Sequence, residues 1–167
     1  GSVSDLLDDW LAPLFRSEGK ARARLREAAC LLSDIAWREH PDYRAEHAFL
    51  RVLRLPVAGI THPERVILAL IISARYGGSH DAPYVQNLTS LLEDSDRAFA
   101  VRAGAALRLA YALSAGTEHM LNLTSIEKRN DRLELHLPKD GGALFGEAIQ
   151  RRLDAVGRAF GMPVAIV

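Results

Sequence analysis

The sequence has little of several features on which particular protein classes depend. It contains one cysteine, Cys30, in 167 residues, which excludes an internal disulfide and a Cys-rich zinc module and fits a reducing compartment. We therefore expect a cytoplasmic protein. The longest apolar runs, such as Val66 to Ile72, are far too short to span a bilayer, and no signal peptide is recognisable. We expect no association with a membrane.

The sequence also lacks an excess of charge of either sign. Lysine and arginine number 21, as do aspartate and glutamate, so the whole molecule has no general attraction for nucleic acid or for an anionic membrane. We expect no nucleic-acid partner, and a site for a polyanion requires local clustering of basic side chains. A hydrophobic content of 49% with 25% charged residues is ordinary for a globular protein of one domain or two small ones.

Common catalytic motifs are missing as well. The sequence has no GxSxG, no Walker loop and no GxGxxG, which removes the main signals of nucleophile-elbow hydrolases and nucleotide-binding folds. The six histidines are scattered and form no HExxH pair. His40 and His47 would share a face of one continuous helix, but Pro41 lies between them. We interpret the histidines as surface or capping residues and predict no metal site.

Helical periodicity dominates the first two thirds of the chain. Apolar residues recur at i, i+3 and i+4 from Ser4 to Ser114, and Pro13 is expected to kink or interrupt the first helix. Pro41 should stop the second helix, and Asp42 is placed to cap the third. The predicted helices cover residues 4–15, 20–37, 43–53, 62–76, 83–92 and 97–114, and Gly116 is the predicted terminator of the last.

The helix predicted to begin near residue 62 has the clearest end signals. Thr61 is placed to cap it, Pro63 lies in its first turn and Glu64 completes a capping box. Gly77-Gly78 should end it. Because this helix is apolar on most faces, we expect it to be the central buried one.

The pattern changes to alternation after residue 122. Two short strands are predicted around a turn at Arg129 to Asp131, and in the second strand apolar and polar residues alternate, as in a sheet with one solvated face. An amphipathic helix ending at Gly161 and a last strand, MPVAIV, follow. In the second strand, the apolar residues are Leu133, Leu135 and Leu137, and the polar residues that alternate with them are Arg132, Glu134 and His136. The inward residues of the helix are Leu144, Ile149, Leu153, Val156 and Phe160.

These elements predict an α+β fold in two parts. A mainly helical domain covers residues 3–116, and a small β-β-α-β unit of residues 117–167 should dock on it, because it is too small to be stable alone. Gly1-Ser2 is interpreted as a cloning scar, and the abrupt start suggests a fragment of a longer protein.

The pair Ser33-Asp34 stands out because it lies within an apolar stretch. We expect Ala29, Leu31, Leu32, Ile35 and Ala36 to be core residues. Asp34 should then be a buried anchor that caps a neighbouring helix or pairs with an arginine. Gly77-Gly78 and His80 could cradle a phosphate, but a helix stop is the better interpretation of a lone glycine pair.

Arginine is the residue type best suited to bind phosphate. Guanidinium groups bind phosphate bidentately, so a cluster formed in three dimensions would hold a polyphosphate chain. The alternative is a solvated helix face balanced by acidic neighbours such as Glu18 and Glu27. The basic residues in question are Lys20, Arg22, Arg24, Arg26, Arg75, Arg102, Arg108, Arg151 and Arg152.

Four segments, in this order, carry a family resemblance: WLAPLF, REAACLLSDIAWREHPDYRAEHAF, GITHPERVILALIISARY and ALRLAYALS. They resemble the C-terminal region of the exopolyphosphatase / guanosine pentaphosphate phosphatase family, in the form common among alphaproteobacteria. The resemblance implies a helical domain similar to HD-type metal phosphohydrolases, then a small α/β tail. It also implies a parent enzyme whose N-terminal actin-like lobes carry the catalytic residues and use magnesium.

Set against an active HD site, the sequence is degenerate. Such a site needs an upstream histidine, a His-Asp pair and a later aspartate, whereas no histidine precedes Ser33, the pair is Ser33-Asp34, and Tyr111 stands near the last position. One carboxylate cannot hold a catalytic metal. We predict a degenerate HD-like bundle with no catalytic residue, metal or cofactor of its own. The resemblance and the basic pattern make these the candidates for polyphosphate contact: Arg44, His47, Arg75, His80, Lys20 and Arg22.

Three functional hypotheses follow. The favoured one is a non-catalytic accessory domain of an exopolyphosphatase that binds polyphosphate, helps to form a homodimer, or both, and that packs against the N-terminal lobes of the same chain. The alternative is a purely structural dimerisation module. An independent HD-type phosphohydrolase is the least favoured, because the ligands are missing.

Overall fold

The computed structural model describes residues 2–114, 118–139 and 146–167. The predictions for Gly1, Gly116 and Leu144 therefore lie outside the described residues. The helices are α1 (Val3–Leu11), α2 (Lys20–Leu32), α3 (Arg44–Arg54), α4 (His62–Arg75), α5 (Pro83–Gln86), α6 (Asp94–Ser114), α7 (Glu118–Asn122) and α8 (Glu147–Phe160), and the strands are β1 (Ser125–Arg129), β2 (Arg132–His136) and β3 (Val164–Ile166). The predicted α+β class is confirmed.

Helix α4 lies at the centre of the helical part, as the sequence predicts. Its capping box is complete, since the Glu64 amide donates to Thr61 Oγ1 at 3.2 Å and the Thr61 amide donates to Glu64 Oε1 at 2.9 Å. Every residue from Val66 to Ser73 is buried. Helices α2, α3 and α6 pack around it, so α4 is the common wall of the core.

Helices α4 and α6 cross with very little space between their backbones. Gly104 of α6 faces Ala74 and the carbonyl oxygen of Ile71 on α4, and a Cβ at Gly104 would lie 2.3 Å from Ala74 Cβ and 2.8 Å from that oxygen. Normal carbon–carbon contacts are about 3.5–4.0 Å. The close crossing is therefore available only to glycine, and it brings the C-terminal end of α4 against the middle of α6.

The C-terminal part has the predicted β-β-α-β order. Strands β1 and β2 form an antiparallel hairpin in which Arg129 pairs with Arg132. The two residues between them, Asn130 and Asp131, have φ of 53° and 64°, which is the left-handed geometry of a tight two-residue hairpin turn. Strand β3 pairs parallel to β2, and α8 makes the crossover.

This small unit packs directly on the helical part. The indole nitrogen of Trp10 in α1 donates to Thr124 Oγ1 at 3.1 Å, inside the protein. The rings of Phe15 and Phe160 lie 5.6 Å apart, and α8 packs along α6. One continuous apolar core includes residues of both parts. The packing of α8 against α6 is therefore part of the same folded core.

The second helix ends earlier than its sequence pattern predicts. We expected a helix to Trp37, but α2 ends at Leu32 and turns follow. In a longer helix the Ser33 carbonyl would accept from the Trp37 amide. Here it accepts instead from Tyr76 Oη at 2.8 Å and Arg75 Nε at 3.1 Å, both from the end of α4. A tertiary contact thus ends the helix.

Two expectations about burial are also wrong. Leu31 is 72% exposed, because the buried side of α2 is the one that presents Ala29 and Cys30. Glu134 was expected on a solvated face but is only 4% exposed. The carboxylate of Glu134 lies 2.6 Å from Arg132 Nη2 and 3.6 Å from His136 Nε2. The Arg132 guanidinium lowers the pKa of Glu134.

Smaller differences concern element boundaries. As expected, Pro13 interrupts the first helix, which continues as a 3-10 turn at Ala12–Leu14. The predicted helix over 83–92 is only α5 plus a 3-10 turn, Thr89–Leu91. Helix α6 begins at Asp94, earlier than predicted, and α7 was not predicted. None of the described helices is long and apolar enough to cross a membrane.

Candidate functional site

The three residues that the resemblance assigns to a degenerate HD position, Ser33, Asp34 and Tyr111, lie together at the end of α2. Ser33 is buried, and its hydroxyl donates to the Cys30 carbonyl oxygen at 2.8 Å and forms a hydrogen bond with Tyr111 Oη. Burial raises the pKa of Tyr111 to about 12, so this phenol stays neutral at physiological pH. The pair is a neutral hydrogen-bonded contact between α2 and α6.

A cation occupies the space beside this pair. The guanidinium of Arg75 lies 3.7 Å from the ring centroid of Tyr111 and 4.2 Å from that of Tyr76. Both distances are within the range of cation–π attraction. Asp34, expected as a buried anchor, has a side chain that is 65% exposed, although it forms the expected pair with an arginine, Arg75, at 3.8 Å. The expectation of burial was wrong, because α2 ends before Asp34 and the turn directs it outward.

Metal-ligating side chains come together elsewhere. Within the described parts of the chain, the one group of three that lies close enough to share an ion is Glu127, Glu134 and His136, on β1 and β2. Glu127 and Glu134 are opposite each other in the hairpin. Arg132 forms two contacts with Glu134, at 2.6 and 2.8 Å. We interpret the group as an ion-pair network that offsets two facing carboxylates.

A basic cleft lies where α4 ends, between α6 and α8. Its volume is about 470 Å³, within the usual range of about 300–1,000 Å³ for ligand sites. The described residues that line it include no aspartate and no glutamate. They are Ala74, Gly77, Gly78, Ser79, His80, Val101, Ala105, Arg108, Arg152, Ala155, Arg158 and Ala159. We call this feature the basic cleft.

Arg108 is the cation that α6 contributes to the basic cleft. It is half-buried, and no described carboxylate pairs with it. Burial lowers the pKa of Arg108, and the nearby positive charges of Arg152 and Arg75 lower it further. Guanidinium groups in proteins are normally paired when they leave water. Arg108 therefore remains a half-buried cation without a carboxylate partner among the described residues.

Helix α8 supplies the opposite wall. Arg152 and Arg158 lie on it together with the small residues Ala155 and Ala159, which leave room between the cations. Neither arginine forms an ion pair with a described residue. His80, from the turn after α4, completes the rim and lies 3.3 Å from Asp81 Oδ1. The cleft therefore presents three guanidinium groups and an imidazole to one space.

The six predicted polyphosphate-binding residues fall in three places. His80 lines the basic cleft, and Arg75 is close enough to Arg108 to affect its pKa. Arg44 and His47 contact Glu39 instead. Arg44 Nε donates to the Glu39 carbonyl oxygen at 2.7 Å, and His47 Nδ1 lies 3.3 Å from the carboxylate oxygen Oε2 of Glu39.

The other two of the six lie near the start of α2. Lys20 is exposed there, and Arg22 pairs with Glu18 at 2.7 Å.

The main cations of the cleft were missed as a group. From the sequence alone, Arg108 and Arg152 are candidates for a basic cluster, but nothing places them together, and Arg158 is not among the candidates. A local signal exists on α8, since Arg152, Ala155 and Ala159 share a helix face that is basic and small. No local signal connects that face to Arg108, because the contact between α6 and α8 is tertiary.

Gly77 sets the position of Arg108, which gives a direct test. Its φ is +88°, and a Cβ there would lie 2.7 Å from Arg108 Nη2. We expect Gly77→Ala to displace the guanidinium and to weaken phosphate-chain binding about 3- to 10-fold, through one charged hydrogen bond made worse. Isothermal titration with inorganic polyphosphate measures this.

Gly19→Ala is the matched control. Gly19 also has a positive φ, +43°, but nothing lies within 4 Å of a Cβ there. Both variants should lose stability because alanine disfavours a positive φ, the more so at Gly19, where ψ is 171°, and only Gly77→Ala should lose binding. Equal binding by the two variants would show that Gly77 is merely a helix stop.

The fold and the cleft together define an α+β domain with a basic cleft between two of its helices. The chain matches the family model of the exopolyphosphatase C-terminal domain over residues 7–167, nearly its whole length. It therefore belongs to the exopolyphosphatase C-terminal domain family. A comparison with curated proteins finds no significant match.

Proposed function

We propose that this chain is a non-catalytic accessory domain of an exopolyphosphatase and that it binds inorganic polyphosphate in the basic cleft. One observation carries the proposal: Arg108, Arg152 and Arg158 converge on one space that no described carboxylate enters. Polyphosphate is a linear polyanion, and a row of guanidinium groups neutralises it with bidentate hydrogen bonds. The family membership supplies the enzyme context.

The degenerate HD position supports a non-catalytic role. A metal site there would have one carboxylate, Asp34, which is exposed, and a permanent cation, Arg75, beside it. These residues do not fit a divalent ion, since the guanidinium repels it and too few ligands are present. We propose that the N-terminal lobes of the parent chain hold the magnesium. The present domain, residues 3–167, would pack against those lobes and extend them. We propose a cytoplasmic location for the parent enzyme.

Dimerisation is the second candidate function. Leu31, Trp37 and Tyr43 are 72%, 56% and 54% exposed within one segment, and exposed large apolar side chains of this kind are enriched at protein interfaces. Sedimentation of the chain tests this. A tight dimer that ignores polyphosphate at millimolar concentration would favour the purely structural module.

The salt dependence of polyphosphate binding tests the primary proposal. Each phosphate contact on a flexible polyanion contributes about 0.7 to the slope of log K against log salt. With three arginines engaged, we expect a slope of about −2. Titrations between low and physiological salt measure it, and binding that does not change with salt would contradict the proposal.

Two adjacent arginines of α8 provide a matched pair. Arg152 lines the cleft, whereas Arg151 is exposed and does not. Arg152→Gln should reduce the slope by about 0.7 and weaken binding, while Arg151→Gln, with the same change in net charge, should leave both nearly unchanged. Equal effects would mean that polyphosphate follows overall charge and not the cleft.

A further inference from the structure

The geometry of the hairpin formed by β1 and β2 points to a binding site for one zinc ion, made by Glu127, Glu134 and His136. The inference goes beyond the proposed function, since none of these three residues lines the basic cleft. The spacing of the histidines along the chain does not indicate such a site, because the ligands come from two different strands and only one of them is a histidine.

The hairpin places the three side chains on one face of the sheet. Glu127 of β1 lies opposite Glu134 of β2, and His136 follows Glu134 by two residues, which puts both on the same face. Opposite residues of antiparallel strands are about 5 Å apart, and residues two apart on one strand are about 7 Å apart. The three positions form a small triangle, from which long side chains converge on one point.

The distances between the donor atoms suit a tetrahedral ion. His136 Nε2 lies 3.1 Å from Glu127 Oε1 and 3.6 Å from Glu134 Oε1, and all three atoms lie within 4.8 Å of one another. Zinc binds such atoms at about 2.0–2.2 Å, so that two donors of a tetrahedral site are about 3.3–3.6 Å apart. The two separations from the imidazole lie close to that range. Because the Glu127 side chain is 44% exposed, it is free to make the remaining adjustment.

Glu134 is the fixed member of the group. It is only 4% exposed, and its Oε2 atom accepts a hydrogen bond from Arg132 Nε at 2.8 Å. Its other oxygen, Oε1, accepts no hydrogen bond from a described residue, since 3.6 Å to His136 Nε2 is too long for one. Buried polar atoms normally have a partner. Oε1 lies beside the other two donor atoms, where a metal ion would supply that partner.

Arg132 is compatible with an ion at this place. It contacts Oε2 and leaves Oε1 of the same carboxylate to the ion, and ligating carboxylates are commonly oriented by such a hydrogen bond on the far side. Arg129 approaches Glu127 only at 3.8 Å and is 64% exposed, so it can turn away. The degenerate HD position differs, because a single exposed carboxylate, Asp34, faces Arg75 there. On the hairpin two carboxylates and an imidazole are available.

Zinc fits this set of ligands better than magnesium does. Imidazole nitrogen and carboxylate oxygen are typical zinc ligands, and three protein ligands leave the fourth position to water. Magnesium demands six ligands in octahedral geometry, and it prefers oxygen to imidazole nitrogen. We therefore expect zinc to bind to the hairpin and magnesium not to compete with it.

Isothermal titration of the full chain with zinc chloride tests the inference, in a buffer free of phosphate and polyphosphate, which would chelate the metal. We expect one zinc ion per chain with a dissociation constant in the micromolar range, unchanged by excess magnesium. Glu127→Gln and His136→Asn should each weaken binding by at least about tenfold, since even the partners of metal ligands are worth about 10- to 100-fold. Cobalt(II) should give the strong visible absorption of a four-coordinate ion.

His47→Asn is the matched control. His47 Nδ1 lies 3.3 Å from Glu39 Oε2, so it is also an imidazole beside a carboxylate, but it belongs to no group of three. This variant should keep zinc binding within about twofold. Circular dichroism shows whether each variant folds. Glu127→Gln changes a partly exposed side chain and keeps its shape, so we expect it to fold even if His136→Asn does not.

The outcomes separate the zinc site from chance binding and from the proposed function. A folded chain that binds no zinc would overturn the inference. So would zinc binding that Glu127→Gln leaves unchanged, or that His47→Asn reduces equally, since the metal would then be an adventitious ion on surface side chains only. Polyphosphate binding, measured without zinc, should be the same in Glu127→Gln as in the unmodified chain, so that failure of the zinc site leaves the basic cleft untouched.

Discussion

Replacing Arg108 with methionine is expected to weaken polyphosphate binding by about 10- to 100-fold, the effect of losing one charged hydrogen-bonding group worth about 1.5–3 kcal/mol. Arg108 lines the basic cleft, and its guanidinium rests against Gly77. Methionine keeps much of the aliphatic stem and removes the charge. Isothermal titration with polyphosphate of defined length measures the loss.

The same substitution should not destabilise the unliganded protein. Arg108 is half-buried without a described partner, and Arg152 and Arg75 place further positive charge around it. Removing one of three like charges relieves repulsion, which solvent screening limits to about 0.5–1 kcal/mol. Denaturant unfolding should therefore show unchanged or slightly higher stability, which is typical of a residue kept for function at the expense of stability.

Arg102→Met is the control on the same helix. Arg102 pairs with Glu18 at 2.8 Å and lies over the Phe160 ring at 5.7 Å, so its role is structural. It should lose about 1 kcal/mol of stability and keep polyphosphate binding within about twofold. If Arg108→Met behaved in this way instead, the interpretation of Arg108 as a ligand-binding group would be wrong.

Adding a methyl group at Gly104 should have the largest effect on stability. In Gly104→Ala the new Cβ would lie 2.3 Å from Ala74 Cβ and 2.8 Å from the Ile71 carbonyl oxygen. The atoms that it meets are backbone and a side-chain stub, which cannot rotate away. Helices α4 and α6 must separate, and we expect a loss of about 3 kcal/mol, the upper part of the range for overpacking. Thermal and denaturant unfolding measure it.

A second substitution can show that the clash itself is responsible. In the double variant Gly104→Ala/Ala74→Gly one of the two clashing methyl groups is gone, although the carbonyl contact remains. We expect a favourable coupling of about 1 kcal/mol between the two sites, as contacting residues show in double-mutant cycles. Simple additivity of the two losses would contradict the steric explanation.

Several elements could be predicted because their signals are local. Helix α4 begins and ends where Thr61, Glu64 and Gly77 indicate, and the hairpin turns at Asn130 and Asp131. A capping box spans three residues and a hairpin turn needs two, so each is complete within a short stretch of sequence. The α+β class follows from such elements. The family resemblance follows from short sequence segments that can likewise be read without the structure.

Other features depend on neighbours that are distant in sequence. The end of α2 is set by Tyr76 and Arg75, which take the carbonyl oxygen of Ser33. Periodicity in α2 contains no information about that contact. The exposure of Asp34 follows from the same early end, which is why its predicted burial was wrong.

The sequence alone determined the class of fold, the central helix and the hairpin, since these follow from residue identity and local spacing. Only the tertiary structure decided which arginines lie together. Arg108 reaches the cleft because Gly104 lets α6 lie close to α4, and Arg152 and Arg158 reach it because α8 packs along α6. The electrostatic potential at a point depends on how close the charges are in space. A sequence with equal numbers of acidic and basic residues therefore still contains a strongly basic cleft.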